Sequence, residues 1–122
     1  EPWPETLAAV ARLHELVKDA VSDDASEVAA RYANVFAENV ELDVPLVRRI
    51  EYLKEGLVNL GALRPVAEPV TPKTPRPSVA SWSVPAKYGR LELYIELAPV
   101  APFGVQTFSA EIKNGQSRIE LF

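Results

Sequence analysis

Cysteine is absent from the 122-residue sequence, which excludes disulfide bonds, thiolate zinc sites and a cysteine nucleophile. The single histidine, His14, excludes a metal site built from several imidazoles. No apolar run approaches the roughly 20 residues needed to cross a bilayer, and the N-terminus has no signal-peptide pattern. We therefore expect a cytoplasmic protein that does not enter a membrane.

Methionine is also absent, and from this we expect the chain to be a piece of a larger protein. The composition, with 48% hydrophobic and 25% charged residues, is typical of a globular domain. The formal net charge is −4. This charge argues against a protein whose whole surface coats nucleic acid or anionic membrane, and it leaves room for a local basic face.

Charge and proline divide the chain into three segments. Residues 1–64 carry a net charge of −5 and residues 65–122 a net charge of +1. Five prolines at positions 65, 69, 72, 75 and 77 favour an extended connector between them. The sequence thus predicts a helical lobe over 1–64, a Pro-rich linker over 65–77 and an antiparallel β lobe over 78–122. It leaves open whether the two lobes touch.

Three helices are predicted in the first segment from apolar residues at helical spacing. The first covers about 5–21, and the second begins at Asp24, whose carboxylate suits an N-cap, and ends before Asn39. The third begins near Pro45 and stops at Gly61. The predicted helical core consists of Leu13, Val17, Val28, Tyr32, Ile50, Leu53 and Leu57.

The pattern changes to a period of two beyond the linker. Apolar residues at 91, 93, 95 and 97 alternate with polar ones, which predicts a strand buried on one face. Asn114-Gly115 predicts a hairpin turn between strands 105–113 and 116–122. A further strand is expected around 78–84. The predicted fold class is therefore α+β, with a three-helix bundle, a Pro-rich connector and a small antiparallel sheet.

Candidate catalytic groups do not converge on one site. Glu92 and Glu96 share a strand face but lie roughly 13 Å apart, whereas glycosidase carboxylates lie within roughly 5 to 9.5 Å. The triplet Glu111-Ile112-Lys113 resembles a nuclease E-x-K element, but no aspartate follows Asp43. No phosphate-binding loop or nucleophile elbow is present. We therefore expect a protein that is not an enzyme and has no catalytic residue, metal site or cofactor, and we expect His14 to be structural.

One basic cluster lies on a predicted helix. Arg48, Arg49 and Lys54 are on the third helix, where a helix-turn-helix protein would contact the major groove. Glu51 and Glu55 lie among them at pairing distance, so a self-neutralised, solvated face is the alternative.

A family resemblance is carried by four short stretches in residues 3–64. They are Trp3-Pro4-Glu5-Thr6-Leu7, then residues 27–32 (EVAARY), Val47-Arg48-Arg49-Ile50, and residues 60–64 (LGALR). Together they resemble the winged-helix-like module near the C-terminus of bacterial restriction-modification DNA methyltransferases. The resemblance implies a non-catalytic accessory element of a DNA-acting assembly, with the third helix as recognition helix and Leu63–Val66 entering the wing.

Two functions follow as hypotheses. The first is a winged-helix-like module of a bacterial DNA-handling protein, which contacts duplex DNA or positions a neighbouring domain. Its candidate DNA-binding residues are Arg48, Arg49, Lys54 and Arg64. The alternative is an assembly module without nucleic-acid contact, whose partner is a second copy or the rest of a larger parent protein. Its candidate interface residues are Leu46, Leu57, Leu60, Ile119, Leu121 and Phe122.

Overall fold

Four α-helices are followed by a five-stranded antiparallel sheet in the computed structural model, which describes residues 1–122. The helices are α1 (Pro4–Ser22), α2 (Ala25–Tyr32), α3 (Glu38–Asp43) and α4 (Leu46–Leu60), with a 3₁₀ turn at Ala33–Val35. The strands are β1 (Lys73–Arg76), β2 (Val79–Ala86), β3 (Gly89–Leu97), β4 (Val105–Asn114) and β5 (Ser117–Glu120). The α+β class is thus confirmed. None of the helices is both long and apolar enough to span a bilayer.

The three predicted helices correspond to α1, α2 and α4. Pro4 lies in the first turn of α1, and the Asp24 carboxylate accepts hydrogen bonds from the backbone N–H groups of Ser26 and Glu27 at 3.0 and 3.2 Å. These contacts satisfy donors that a helix start leaves free.

The predicted helix count was wrong, because α3 lies in the stretch expected to be a connection. Its Val40 is buried, so even this acidic segment has one apolar side chain to pack. The Glu41 carboxylate accepts a 2.8 Å hydrogen bond from the Leu46 N–H, at the start of α4. The short helix therefore supports the beginning of the next one.

The sheet is a meander with the spatial order β1-β2-β3-β4-β5. Along most of β2, β3 and β4 buried and more exposed side chains alternate, and the strand register aligns the buried ones on one face, as in Trp82, Leu93 and Ala110. This face packs against the helices. We call the opposite, helix-free side the outer face.

One hydrophobic core joins the helices to the sheet. Its 25 buried residues come both from the segment before residue 64 and from the segment after residue 78, for example Leu13 and Leu53 together with Leu93 and Phe108. The two segments that the sequence separates by a Pro-rich linker therefore pack against each other.

Residues 62–76 follow the free edge of β2. Leu63 forms an antiparallel bridge with Ala86, and the Arg64 N–H donates to the Pro85 carbonyl at 2.8 Å. Residues 73–76, which lie inside the predicted linker, form β1 beside β2. The structure thus corrects the expectation that Leu63–Val66 enters a wing, because this segment extends the edge of the sheet.

The predicted hairpin at Asn114-Gly115 forms with a shift of one residue. Asn114 pairs with Ser117, which leaves Gly115 and Gln116 in the turn, and Gly115 has a φ of +62°. Asn114 is therefore the last residue of β4. Glycine at the first central position is the sequence preference of a type II′ hairpin.

Candidate nucleic-acid interface

Arg49 does not lie on the surface, which corrects its assignment as a DNA-binding residue. Its side chain is buried between α4 and the sheet, and it donates hydrogen bonds to three carbonyl oxygens, those of Val44 (2.8 Å), Phe108 (2.6 Å) and Val40 (3.4 Å). Burial lowers the pKa of the Arg49 guanidinium. Because the side chain is buried and each of its three nitrogens donates within the protein, Arg49 is not accessible to a phosphate.

Lys54 is likewise used inside the protein. Its ammonium donates to the carbonyl oxygens of Ala20 at 3.0 Å and Asp23 at 2.7 Å. These are among the carbonyls that the end of α1 leaves without helical partners. A cation at a helix C-terminus also interacts favourably with the helix dipole. Lys54 therefore caps α1 and ties it to α4.

Arg48 and Arg64 are exposed, and the structure does not bring them together with Arg49 and Lys54 as one basic face. Arg48 forms an ion pair with Glu51 at 3.3 Å and lies over the ring of Tyr52. Arg64 donates only a long hydrogen bond of 3.4 Å to the Ala86 carbonyl, at the edge of β2. Helix α4 thus presents a single, already paired arginine to solvent.

The candidate interface residues of α4 belong to the interior. Leu46, Leu57 and Leu60 are all buried in the hydrophobic core. The apolar seam of α4 that their spacing predicted exists, but it is buried in the protein's own core of helices and sheet. This corrects the expectation that these leucines contact a partner.

The C-terminal candidates divide into two groups. Ile119 is 54% exposed on β5. Leu121 and Phe122 are half-buried and pack against the core, where the Phe122 ring meets Phe108 edge-on at 4.9 Å. Of these three residues, Ile119 is therefore the most exposed to a partner.

A different basic surface lies at one end of the sheet, where three of its cations share the outer face. Arg90 on β3 stands directly opposite Lys113 on β4, which in turn stands opposite Arg118 on β5. Lys87, in the turn between β2 and β3, and Arg64, beside Pro85, lie at the same end. We call these five residues (Arg64, Lys87, Arg90, Lys113 and Arg118) the cationic end of the sheet.

Only part of this positive charge is neutralised within the protein. Glu92 lies 3.7 Å from Arg90 and 2.9 Å from Arg118, and Arg118 also binds Glu111. The latter contact raises the pKa of Arg118. Lys113 takes part in no ion pair, although it has an arginine directly opposite on each side. Like charges directly opposite each other in a sheet are destabilising.

An aromatic side chain lies beside one of the unpaired cations. Tyr88 is 55% exposed in the turn between β2 and β3, and the Lys87 ammonium lies 5.1 Å from its ring centre. A free lysine next to an exposed ring can contact both phosphate groups and apolar parts of a nucleic acid.

A groove of about 770 Å³ occupies the middle of the outer face. Hydroxyl groups of Ser81, Ser83, Tyr94 and Ser109, carboxylates of Glu92, Glu111 and Glu120, and the edge segment near Val66 and Val70 line it. Glu111 and Lys113 of the E-x-K triplet both face this side, but Arg118 holds the Glu111 carboxylate. No group of three or more His, Asp or Glu side chains is arranged to hold a metal ion.

His14 is buried on α1, as its place in the apolar stripe predicted. Desolvation lowers its pKa from 6.5, and this effect is opposed by the charge of Glu68 in the Pro-rich segment. Its Nδ1 atom has no hydrogen-bond partner.

The cationic end was not predicted from the sequence, because its residues are far apart in the chain. Their alternation with apolar neighbours predicts only that each faces away from the core. The strand register, which brings Arg90, Lys113 and Arg118 into one row, is not visible in the sequence. In comparisons with known proteins, no family model, curated protein or solved structure matches this chain.

Proposed function

We propose that this protein is a non-enzymatic module of a bacterial DNA-handling protein and that it contacts duplex DNA through the cationic end of its sheet. The observation that carries the proposal is the row of Arg90, Lys113 and Arg118 on three adjacent strands. Neighbouring strands lie about 4.8 Å apart, so the three charges form a narrow positive stripe about 10 Å wide.

Repulsion between the like charges of this stripe destabilises the isolated chain, and this is the physical reason to expect an anionic partner. Lys113 stands between two arginines without an acidic partner of its own. Phosphate groups would neutralise this charge and release their counterions, which is the dominant source of affinity in sequence-independent DNA binding. The excess of positive charge is confined to this end of the sheet, because the whole chain carries a net charge of −4.

The proposal keeps the accessory role in a restriction-modification-like protein that the winged-helix resemblance implies, and it changes the surface that carries this role. In place of Arg49 and Lys54, whose donors are bound to backbone carbonyls, it uses Lys87, Lys113 and Arg64. Arg64 is the one candidate of the sequence analysis that belongs to the new surface.

A salt-dependent mobility shift with random duplex DNA tests this function. The double variant Lys87→Glu with Lys113→Glu removes the two lysines of the cationic end. Neither of these lysines forms an ion pair in the native chain. The matched control, Arg48→Glu with Arg76→Glu, changes the net charge equally at exposed positions outside the cationic end. We expect binding that weakens steeply with salt, is lost in the lysine variant and persists in the control.

Three results would contradict the proposal. Equal loss of binding in both variants would mean that only overall charge matters, and loss in the control alone would place the contact at Arg48 or Arg76 and not at the cationic end. An absence of binding by the native chain at low salt would remove DNA contact altogether.

The assembly module is the second candidate, and one observation favours it. All four residues of β5 are exposed, and this strand lies at the edge of the sheet with nothing beside its outer side. An open edge is a template for pairing with another strand.

A further inference from the structure

The edge strand β5 has a sequence that suits pairing with itself. It consists of Ser117, Arg118, Ile119 and Glu120, so one cation and one anion flank an isoleucine that is 54% exposed. The opposite edge of the sheet is different, because Pro72, Pro75 and Pro77 in and around β1 remove backbone donors there. Of the two edges, β5 is therefore the one with a full set of donors.

The hairpin geometry determines which backbone groups of β5 are free. Asn114 and Ser117 close a two-residue turn, so these two residues exchange hydrogen bonds. Hydrogen-bonded pairs alternate along an antiparallel ladder, and the 2.8 Å bond from the Leu121 N–H to the Ala110 carbonyl agrees with this alternation. The N–H and C=O groups of Arg118 and Glu120 consequently point away from β4.

We propose that β5 pairs antiparallel with β5 of a second copy of this chain, in a register that places the two Ile119 residues opposite each other. In this register Arg118 stands opposite Glu120 of the other copy, and this pair occurs twice by symmetry. Both residues have outward-pointing backbone groups, so each pair exchanges two backbone hydrogen bonds and also brings opposite charges together.

Other symmetric registers lack this complementarity. A shift that centres the pairing on Arg118 places two arginines opposite each other, and a shift that centres it on Glu120 places two carboxylates together. Registers shifted by half a step place a residue whose backbone N–H and C=O point away from β4 opposite one whose backbone groups point toward β4. Such pairs cannot form the hydrogen bonds of an antiparallel ladder. The charge pattern of the strand therefore selects the register centred on Ile119.

The side chains on both faces of β5 fit this arrangement. Ile119 shares the helix-facing side with Ile112, and opposite residues of a non-hydrogen-bonded pair approach to about 4.5 Å between Cα atoms, which would cover the exposed part of both isoleucines. On the outer face, Glu120 forms no ion pair within the chain, so it is free to bind an arginine of the other copy.

The interface is small. Four residues from each chain bury far less than the roughly 1,200 Å² of a standard stable interface. We therefore expect a weak dimer whose population rises with protein concentration, and whose continuous sheet has ten strands. This inference goes beyond the proposed DNA contact and does not depend on it.

A charge-exchange experiment by sedimentation equilibrium tests the register. In Glu120→Arg both cross-copy pairs become Arg–Arg, and in Arg118→Glu both become Glu–Glu, so each variant alone should dimerise about tenfold more weakly than the native chain. A one-to-one mixture restores two opposite-charge pairs and should dimerise as the native chain does. A native chain that stays monomeric at every concentration, or a mixture that stays as weak as its components, would overturn the proposal.

Hydrogen exchange provides a second test that needs no variant. The amides of Ser117 and Ile119 bond within the chain, so they should be protected at all concentrations. The amides of Arg118 and Glu120 should become protected only at high concentration. This measurement also stands if Arg118→Glu fails to fold because it loses its contacts with Glu92 and Glu111. Concentration-independent exchange at Arg118 and Glu120 would exclude the pairing.

Discussion

The guanidinium of Arg49 donates a 2.6 Å hydrogen bond from Nη1 to the carbonyl oxygen of Phe108, which ties α4 to β4 through a buried cation. The same side chain lies over the Phe122 ring, 5.6 Å from its centre. A buried charge is tolerated when hydrogen bonds replace its hydration. Arg49 therefore holds the helical layer on the sheet.

Replacing Arg49 by alanine should destabilise the protein on the order of 3 kcal/mol, because three carbonyl groups lose their donor and a cavity remains. Chemical denaturation measures the change. The neighbouring Arg48→Ala is the matched control and should cost less than about 1 kcal/mol, since its ion pair is exposed. Equal effects of the two substitutions would contradict the burial of Arg49.

Leu53→Ala should cost about 2 to 5 kcal/mol, because Leu53 is fully buried in the core between helices and sheet. Val58, on the same helix, is 81% exposed, and Val58→Ala should change the free energy of unfolding by less than about 0.5 kcal/mol. A loss below about 0.5 kcal/mol for Leu53→Ala would show that the seam of α4 is not packed.

Tyr32 should lose its phenolic proton well after an ordinary tyrosine. Burial, together with a 2.6 Å hydrogen bond to the Asp19 carboxylate, raises its pKa to about 12. Because the folded-state pKa exceeds the unfolded value of 10.0, this stabilisation is complete below pH 10 and is lost as the pH rises through about 12. Ultraviolet titration of tyrosinate in the native chain and in Tyr32→Phe identifies the late component, which the variant should lack.

His14 should make the protein less stable in mild acid. Burial lowers its folded-state pKa below the unfolded value of 6.5, so the unfolded chain binds a proton more readily. The stability is therefore complete above pH 6.5 and falls as the pH decreases through the lowered pKa. The imidazole resonances in an NMR titration should have a midpoint below 6.5, and His14→Leu should flatten the pH dependence of unfolding in this range. A midpoint at or above 6.5 would contradict the prediction.

The sequence predicted those elements that have a local signal. Helices α1, α2 and α4 follow from apolar spacing and from Pro4, Asp24 and Pro45, and strand β3 follows from alternation. Helix α3 is short and acidic, so it has no apolar stripe to recognise. Strand β1 lies among prolines, which argue against a strand unless it is at an edge.

The candidate site was harder to predict because exposure depends on neighbours. Arg49 lies three residues after Leu46 and four before Leu53, so its position in the apolar stripe was visible, but charged side chains are rarely fully buried. The cationic end depends on the register of β3, β4 and β5, which no local pattern encodes. Long-range pairing therefore decides which charges meet.

Two glycines with positive φ and different surroundings provide a last prediction. Gly89 (φ +149°) begins β3 after the Lys87-Tyr88 turn, and a Cβ atom there would overlap the carbonyl oxygen of Lys113 on β4. Gly115 (φ +62°) lies in the β4–β5 turn, where nothing stands within 4 Å of such an atom.

Alanine at position 115 should therefore cost only the backbone strain of about 1 kcal/mol, since the residue faces open space. Alanine at position 89 would have a φ outside the left-handed helical region and must also displace a strand backbone, so we expect a loss of about 3 kcal/mol or more. Thermal or chemical unfolding of Gly89→Ala and Gly115→Ala measures the difference. Equal losses would mean that β3 and β4 do not approach each other as closely as the register at Arg90 and Lys113 requires, and the row of cations would then lose its geometric basis.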